Sequence, residues 1–332
     1  MKLVAQNVST TQPLPPDGHI ELAFDRLLMP SITIRQTFVL ADVRGNLLTP
    51  GVAYDPVARV VTITPMAPLE AGQRYQLAIT SPRDPSDPNG LRAVDGALLD
   101  PSSASVIEFV VSASDSGTSA GGVMTPTIDF CNDVLPAFVT KCSSTSCHGG
   151  SPRPAAGLLL DSPTNVAATA LGRVAQGANT GPRSTAETPC TCLPPMTCDR
   201  CKIFGINMPI IDTGTSQPAA GNPANSWLMY KLFLAVPPAC SSTPGAAPCD
   251  GGVAGDAGTL PANVSQTHAV AWAPMTDSER AALSDLVPGR EMPFPARPET
   301  PAGATTEPMT VDELERVSLW IAQGARVPAT CP

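Results

Sequence analysis

The chain is poor in aromatic residues, has no cysteine before Cys131, has few basic residues and contains no long apolar run. Each absence narrows its function. Phe, Trp and Tyr make up 4% of 332 residues, so any core rests mainly on aliphatic side chains. Lys and Arg number 20 against 29 Asp and Glu, a net charge of −9 that argues against nucleic acid or an anionic membrane surface as partner. The most apolar stretch, Trp227 to Val236, is interrupted by Lys231, so no membrane-spanning segment is expected. Met1 to Asn7 turns polar too soon to form the apolar region of a signal peptide. The expectation is a signal upstream of the given start, with room for a lipid anchor there. No nucleophile elbow or phosphate-binding loop is present, which argues against an enzyme.

Cysteine, proline and glycine are abundant. The 38 Pro and 26 Gly imply many loops and short elements. Ten cysteines, all from Cys131 onward, point to an oxidising compartment, the periplasm or the cell surface.

Residues 1–112 read as short strands. Ile20, Leu22 and Phe24 alternate with polar or small residues, as do Phe38 and Leu40, Val61 and Ile63, Tyr75, Leu77 and Ile79, then Ile107, Phe109 and Val111. Turn signals such as Pro15-Pro16-Asp17-Gly18, Arg44-Gly45-Asn46 and Glu70-Ala71-Gly72 separate them. This pattern predicts a β-sandwich. Residues 113–127, rich in Ser, Gly and Ala, read as a flexible linker.

Residues 128–332 read as mainly helical. Phe130, Val134, Leu135, Phe138 and Val139 fall on one helical face, with Pro136 near the first turn or at a kink. A second helix is expected over Val166 to Val174, a third over Trp227 to Leu234 behind Asn225-Ser226. Two more open on capping boxes, Thr276 with Glu279 and Thr310 with Glu313. Their apolar faces are Leu283, Leu286 and Val287, and Leu314, Val317, Trp320 and Ile321.

The first helix runs into Cys142-Ser143-Ser144-Thr145-Ser146-Cys147-His148. Two cysteines followed at once by histidine is the chemistry of covalent haem attachment, normally with two residues between the cysteines instead of four. The alternative is a small disulfide-closed loop beside a histidine. A cysteine-rich insertion over about 186–203 carries Cys190, Cys192, Cys198 and Cys201. Two disulfides are expected there; a four-thiolate zinc site, or a second haem with Lys202 as ligand, are the other readings. Cys240 and Cys249 suit a loop-closing disulfide, and Cys131 and Cys331 a bridge between the ends of the domain.

Two resemblances follow from these residues. Ile20 to Asp25 and Leu69 to Leu77 make the first third resemble bacterial Ig-like domains, which implies a spacer without chemistry of its own. The Cys142–His148 loop, Gly157-Leu158, Ser226 to Leu228, Met292-Pro293 in a Pro-rich loop and Ser318 to Ala325 make the second half resemble the cytochrome c-like domains of periplasmic and surface proteins. That resemblance implies one covalent haem c on Cys142 and Cys147. His148 is then the proximal iron ligand and Met292 the distal one, with Met208, Met275, Met309 and His268 as alternatives. It implies electron transfer to a redox partner protein. The competing expectation is a haem-free, disulfide-rich surface, adhesion or scaffolding protein.

Overall fold

A computed structural model describes residues 1–83, 87, 89–113, 126–144, 147–149, 154–178, 204–205, 207–214, 221–237, 275–294 and 307–332. The chain divides into two compact units, Met1–Thr125 with Thr259–Glu279, and Pro126–Gly258 with Arg280–Pro332. Residues 275–279 therefore group with the first unit although they lie far along the second half of the chain.

Among the described residues the first unit has eight strands: β1 (Leu3–Gln6), β2 (Ile20–Phe24), β3 (Phe38–Asp42), β4 (Leu47–Leu48), β5 (Pro50–Asp55), β6 (Val60–Pro65), β7 (Arg74–Ile79) and β8 (Val106–Val110). They form two four-stranded antiparallel sheets, ordered β1-β2-β6-β5 and β4-β3-β7-β8. Alternation appears where the sequence placed it: Tyr75, Leu77 and Ile79 of β7 are buried, as are Ile107 and Phe109 of β8. Register pairs like with like, Ile20 with Ile63, Leu22 with Val61 and Leu40 with Leu77. Tyr75 and Phe109 stack with centroids 5.8 Å apart.

Strand β2 departs from the expected alternation, because all five of its residues are buried. It lies inside its sheet between β1 and β6, so both its edges are paired. Its one charged residue is accommodated by polar partners: the Glu21 carboxylate accepts from His19 Nε2 at 3.2 Å, and the Glu21 backbone N–H donates to Asn7 Oδ1. Such pairing is what burial of a carboxylate requires.

The same unit holds a second buried carboxylate. Thr276 caps helix α4 (Asp277–Leu286) through the expected box: the Glu279 N–H donates to Thr276 Oγ1 at 3.3 Å and Thr276 N–H to Glu279 Oε2 at 2.8 Å. Glu279 also accepts from the Leu27 N–H at 2.6 Å and lies 4.0 Å from the buried Arg59 guanidinium. The capping-box glutamate is thus also a buried hydrogen-bond acceptor for the strand unit.

The second unit begins with a π-helical turn over Phe130–Val134 that runs into α1 (Leu135–Lys141). Pro136 sits at the start of α1, where its missing N–H costs nothing. The wider π turn shifts the face: Phe130, Val134 and Phe138 are buried, but Val139, expected beside them, is 46% exposed. Phe130 and Phe138 pack on Trp320 at 5.2 and 6.3 Å between centroids.

Helix α2 spans Pro163–Thr169, shorter than the expected Val166 to Val174. Ser162 starts it by accepting from the Asn165 N–H. It stops because Leu171 and Val174 form β-bridges with Ile211 and Pro209, diverting the backbone from the helix. Helix α3 is Trp227–Phe233 and α5 is Val311–Ala322. Thr310 and Glu313 form the predicted capping box, and Leu314, Val317, Trp320 and Ile321 are buried. A disulfide joins Cys131 to Cys331 across 200 residues and ties the end of the chain to the start of the unit. Closing so long a loop is worth about 2–5 kcal/mol.

Candidate functional site

Helix α1 delivers the chain into the Cys142–His148 segment, and backbone hydrogen bonds fold that segment back on itself. The Cys142 N–H donates to Phe138 O at 2.9 Å, Cys147 N–H to Ser144 O at 2.9 Å, and His148 N–H to Cys142 O at 3.1 Å. Gly149 N–H also reaches Ser144 O, at 3.1 Å. A side chain at Gly149 would collide with the Ser143 carbonyl, so this close return needs glycine. On the far side, Ala155 N–H donates to Cys147 O and Leu160 N–H to His148 O.

This folding places Cys142, Cys147 and His148 on the wall of one cavity of about 430 Å³. Met292 lies on the same wall, as do Lys141, Leu158, Trp227, Leu228, Lys231 and Arg290. Met292 is set there by its N–H, which donates to the carbonyl of Lys231 on α3 at 3.1 Å. The four residues singled out from the sequence, more than 140 positions apart at the extremes, therefore meet. Of the alternative ligands, Met208 and Met309 are buried elsewhere in the unit, and Met275 belongs to the first unit. His268 lies outside the described residues. So do Cys190, Cys192, Cys198, Cys201, Lys202, Cys240 and Cys249, with most of the expected linker.

Cys142 and Cys147 are thiols, not the disulfide that the haem-free alternative expects. Burial, reinforced by the charge of Glu313 and by Cys147, pushes the Cys142 thiol up to about 12, while the Lys141 ammonium pulls the other way. His148 is 6% exposed. Its Nδ1 faces the Leu158 carbonyl at 3.1 Å, which accepts, so Nε2 carries the lone pair. Burial, the larger influence, lowers its pKa, and the carbonyls of Leu158 and Ala155 oppose that. The imidazole is neutral at pH 7, the form that ligates a metal ion. A carbonyl on the remote nitrogen is the usual second contact of a metal-bound histidine.

Sequence reasoning did not find Leu158, Lys141 or Lys231 as parts of this wall. The one available signal was a charged residue inside an apolar helix, at Lys231. Among the described residues, no group of three or more His, Cys, Asp or Glu side chains is arranged to hold a metal ion directly.

No family model and no curated protein matches the chain. Solved structures that resemble it include the S-layer protein rSbsC(31-844), at 16% identity and a TM-score of 0.25, covering 33% of this chain and 13% of that one. CopC from Methylosinus trichosporium OB3b is similar at 19% identity and a TM-score of 0.24, over 33% of this chain and 91% of its own. PcoC, a copper resistance protein from Escherichia coli, is similar at 19% identity and a TM-score of 0.21, over 33% and 97%. The chain thus spans about an eighth of the S-layer protein's length. Likenesses this faint assign neither family nor chemistry.

These results correct the expected membership among cytochrome c-like proteins and the Ig-like family. No family model matches, and the resembling structures are S-layer and copper-resistance proteins. The physical reason lies in two departures within the chain. Four residues separate Cys142 from Cys147, and a long cysteine-rich insertion divides Gly157-Leu158 from Met292. What stands is coarser: an antiparallel, sandwich-like strand unit, a helical unit with a disulfide, and no helix among the described residues long and apolar enough to cross a membrane.

Proposed function

We propose that the second unit carries one c-type haem in the Cys142–Met292 cavity and serves electron transfer to a redox partner protein. The observation that supports this most is the convergence of two thiols, a neutral imidazole and a thioether on one wall. The residues present fit the group. The cavity's exposed lining is mainly apolar, its size suits a cofactor, and no other set of described residues offers both thiols and an imidazole.

Each side chain then has a defined task. Cys142 and Cys147 would hold the group through thioethers, each formed by adding a thiol S–H across a vinyl group, which needs no oxidant and releases no leaving group. His148 would hold the iron through Nε2, because Leu158 O occupies its other nitrogen. Met292 offers its sulfur from a loop pinned by Lys231 O. Leu158, Trp227 and Leu228 keep water from the cavity. When bound, such a haem would supply one-electron iron chemistry, and with His148 and Met292 as the residues that would hold the iron it would suit electron transfer better than substrate chemistry.

The first unit, a sandwich-like pair of antiparallel sheets, is a spacer that presents the second. Location in the periplasm or at the cell surface is supported by the Cys131–Cys331 disulfide. The net charge of −9 suits docking to a basic redox partner.

A second reading is a haem-free surface or scaffolding protein with a disulfide-rich helical half. The four-residue spacing of Cys142 and Cys147 and the Cys131–Cys331 disulfide favour it. The two are separated by expression in a periplasm with its cytochrome maturation system, followed by a pyridine haemochrome spectrum of the denatured chain. A covalent haemochrome supports electron transfer; a colourless chain leaves the surface protein.

A further inference from the structure

We infer that Lys141 is the positioning residue that sets the Cys142 thiol for covalent attachment; this rests on the haem reading of the cavity. Lys141 ends α1 and directly precedes Cys142, yet its ammonium is only 6% exposed. A buried ammonium is costly unless it is paired and hydrogen-bonded. Here Nζ donates to Glu313 Oε2 at 2.6 Å and to Pro308 O at 3.0 Å, with Glu307 Oε2 at 3.8 Å.

Those partners are themselves fixed. Glu313 is the acidic member of the α5 capping box, where its Oε2 also accepts from the Thr310 N–H at 2.7 Å. The Lys141 side chain therefore ties the last residue of α1 to the first turn of α5. The backbone it holds carries Cys142 next in sequence, and the Cys142 carbonyl in turn accepts from the His148 N–H. One ion pair thus governs where the first thiol sits and, through one hydrogen bond, where the imidazole-bearing backbone sits. Cys147 is held separately, by Ser144 O and by the Ala155 N–H on its own carbonyl. Cys147 thus has two anchors besides the His148–Cys142 hydrogen bond, whereas Cys142 directly follows Lys141, so loss of Lys141 should affect Cys142 more than Cys147.

The test uses the full chain matured in a periplasm, with peptide mass spectrometry counting thioethers at Cys142 and at Cys147. Wild type should carry both. Lys141→Met should lose the Cys142 thioether about tenfold while keeping that at Cys147, and Lys141→Arg should restore it. Glu313→Gln, which keeps an acceptor for the cap, should give the same unequal loss in a chain that still folds. Equal loss at both cysteines, or no loss at either, overturns the assignment and makes Lys141 a purely structural residue. If wild type carries no haem, the haem reading fails, and the Lys141 assignment is then read from alkylation of the haem-free chain. Selective opening of Cys142 in Lys141→Met supports it; unchanged or equal reactivity refutes it.

Discussion

Alkylation of the unmodified chain should discriminate sharply between the two thiols of the cavity. Cys142 is 3% exposed and is pushed up to about 12 from an ordinary 9.0 by burial, by Glu313 and by Cys147. The thiolate is the reacting species, so at neutral pH this alone lowers its supply by roughly a thousandfold. Steric closure acts in the same direction, because reagent must enter a cavity walled by Trp227 and Leu228. Cys147 is only half-buried. Pulse labelling with iodoacetamide and peptide mass spectrometry should therefore show Cys147 modified at least a hundredfold faster than Cys142. Full denaturant should abolish the difference. Equal rates in the folded chain would refute the argument that burial controls Cys142, and with it the reason for placing that thiol deep in the wall.

Two further outcomes probe the first unit. Glu279→Ala should destabilise it by about 3–5 kcal/mol in urea unfolding followed by circular dichroism, because the buried Arg59 charge loses its counter-charge and the Leu27 N–H its acceptor. Glu279→Gln, which keeps an acceptor, should cost less; a loss under about 1 kcal/mol for the alanine variant would contradict the burial argument. His19 has its pKa raised first by its hydrogen bond to Glu21 and further by that carboxylate's charge, against desolvation. Its contribution to stability is therefore complete below the ordinary 6.5 and is lost as pH rises through the higher folded-state value. The effect is small because the side chain is half exposed. Melting temperatures across that window should fall with pH in wild type and change less in His19→Gln; identical profiles would remove the pairing.

Much of this organisation was legible in the sequence. The period-2 residues Tyr75, Leu77 and Ile79, and the capping boxes at Thr310 and Thr276, report local physics that the tertiary structure leaves intact. Illegible features depended on distant partners. The α2 helix stops early because Ile211 and Pro209 recruit its continuation into bridges, which no local pattern announces. Val139 turns outward because the preceding turn is π-helical, a change of pitch that the 3.6-residue pattern does not encode. Cys142, Cys147 and His148 could be named because two cysteines followed at once by a histidine are a pattern readable in the sequence itself. Lys141 and Leu158 could not be named in the same way: one acts through an ion pair 172 residues away and the other through a backbone carbonyl.

The central claim is that Cys142, Cys147, His148 and Met292 form one haem site. It is tested most directly by the intact mass of denatured, periplasmically matured chain, measured together with a titration of its thiols. The account predicts a mass greater by one haem, with neither Cys142 nor Cys147 open to alkylation, and loss of covalent haem in the Cys142→Ser, Cys147→Ser double variant. An unmodified mass, with Cys142 and Cys147 recovered as thiols or as a disulfide, would contradict it.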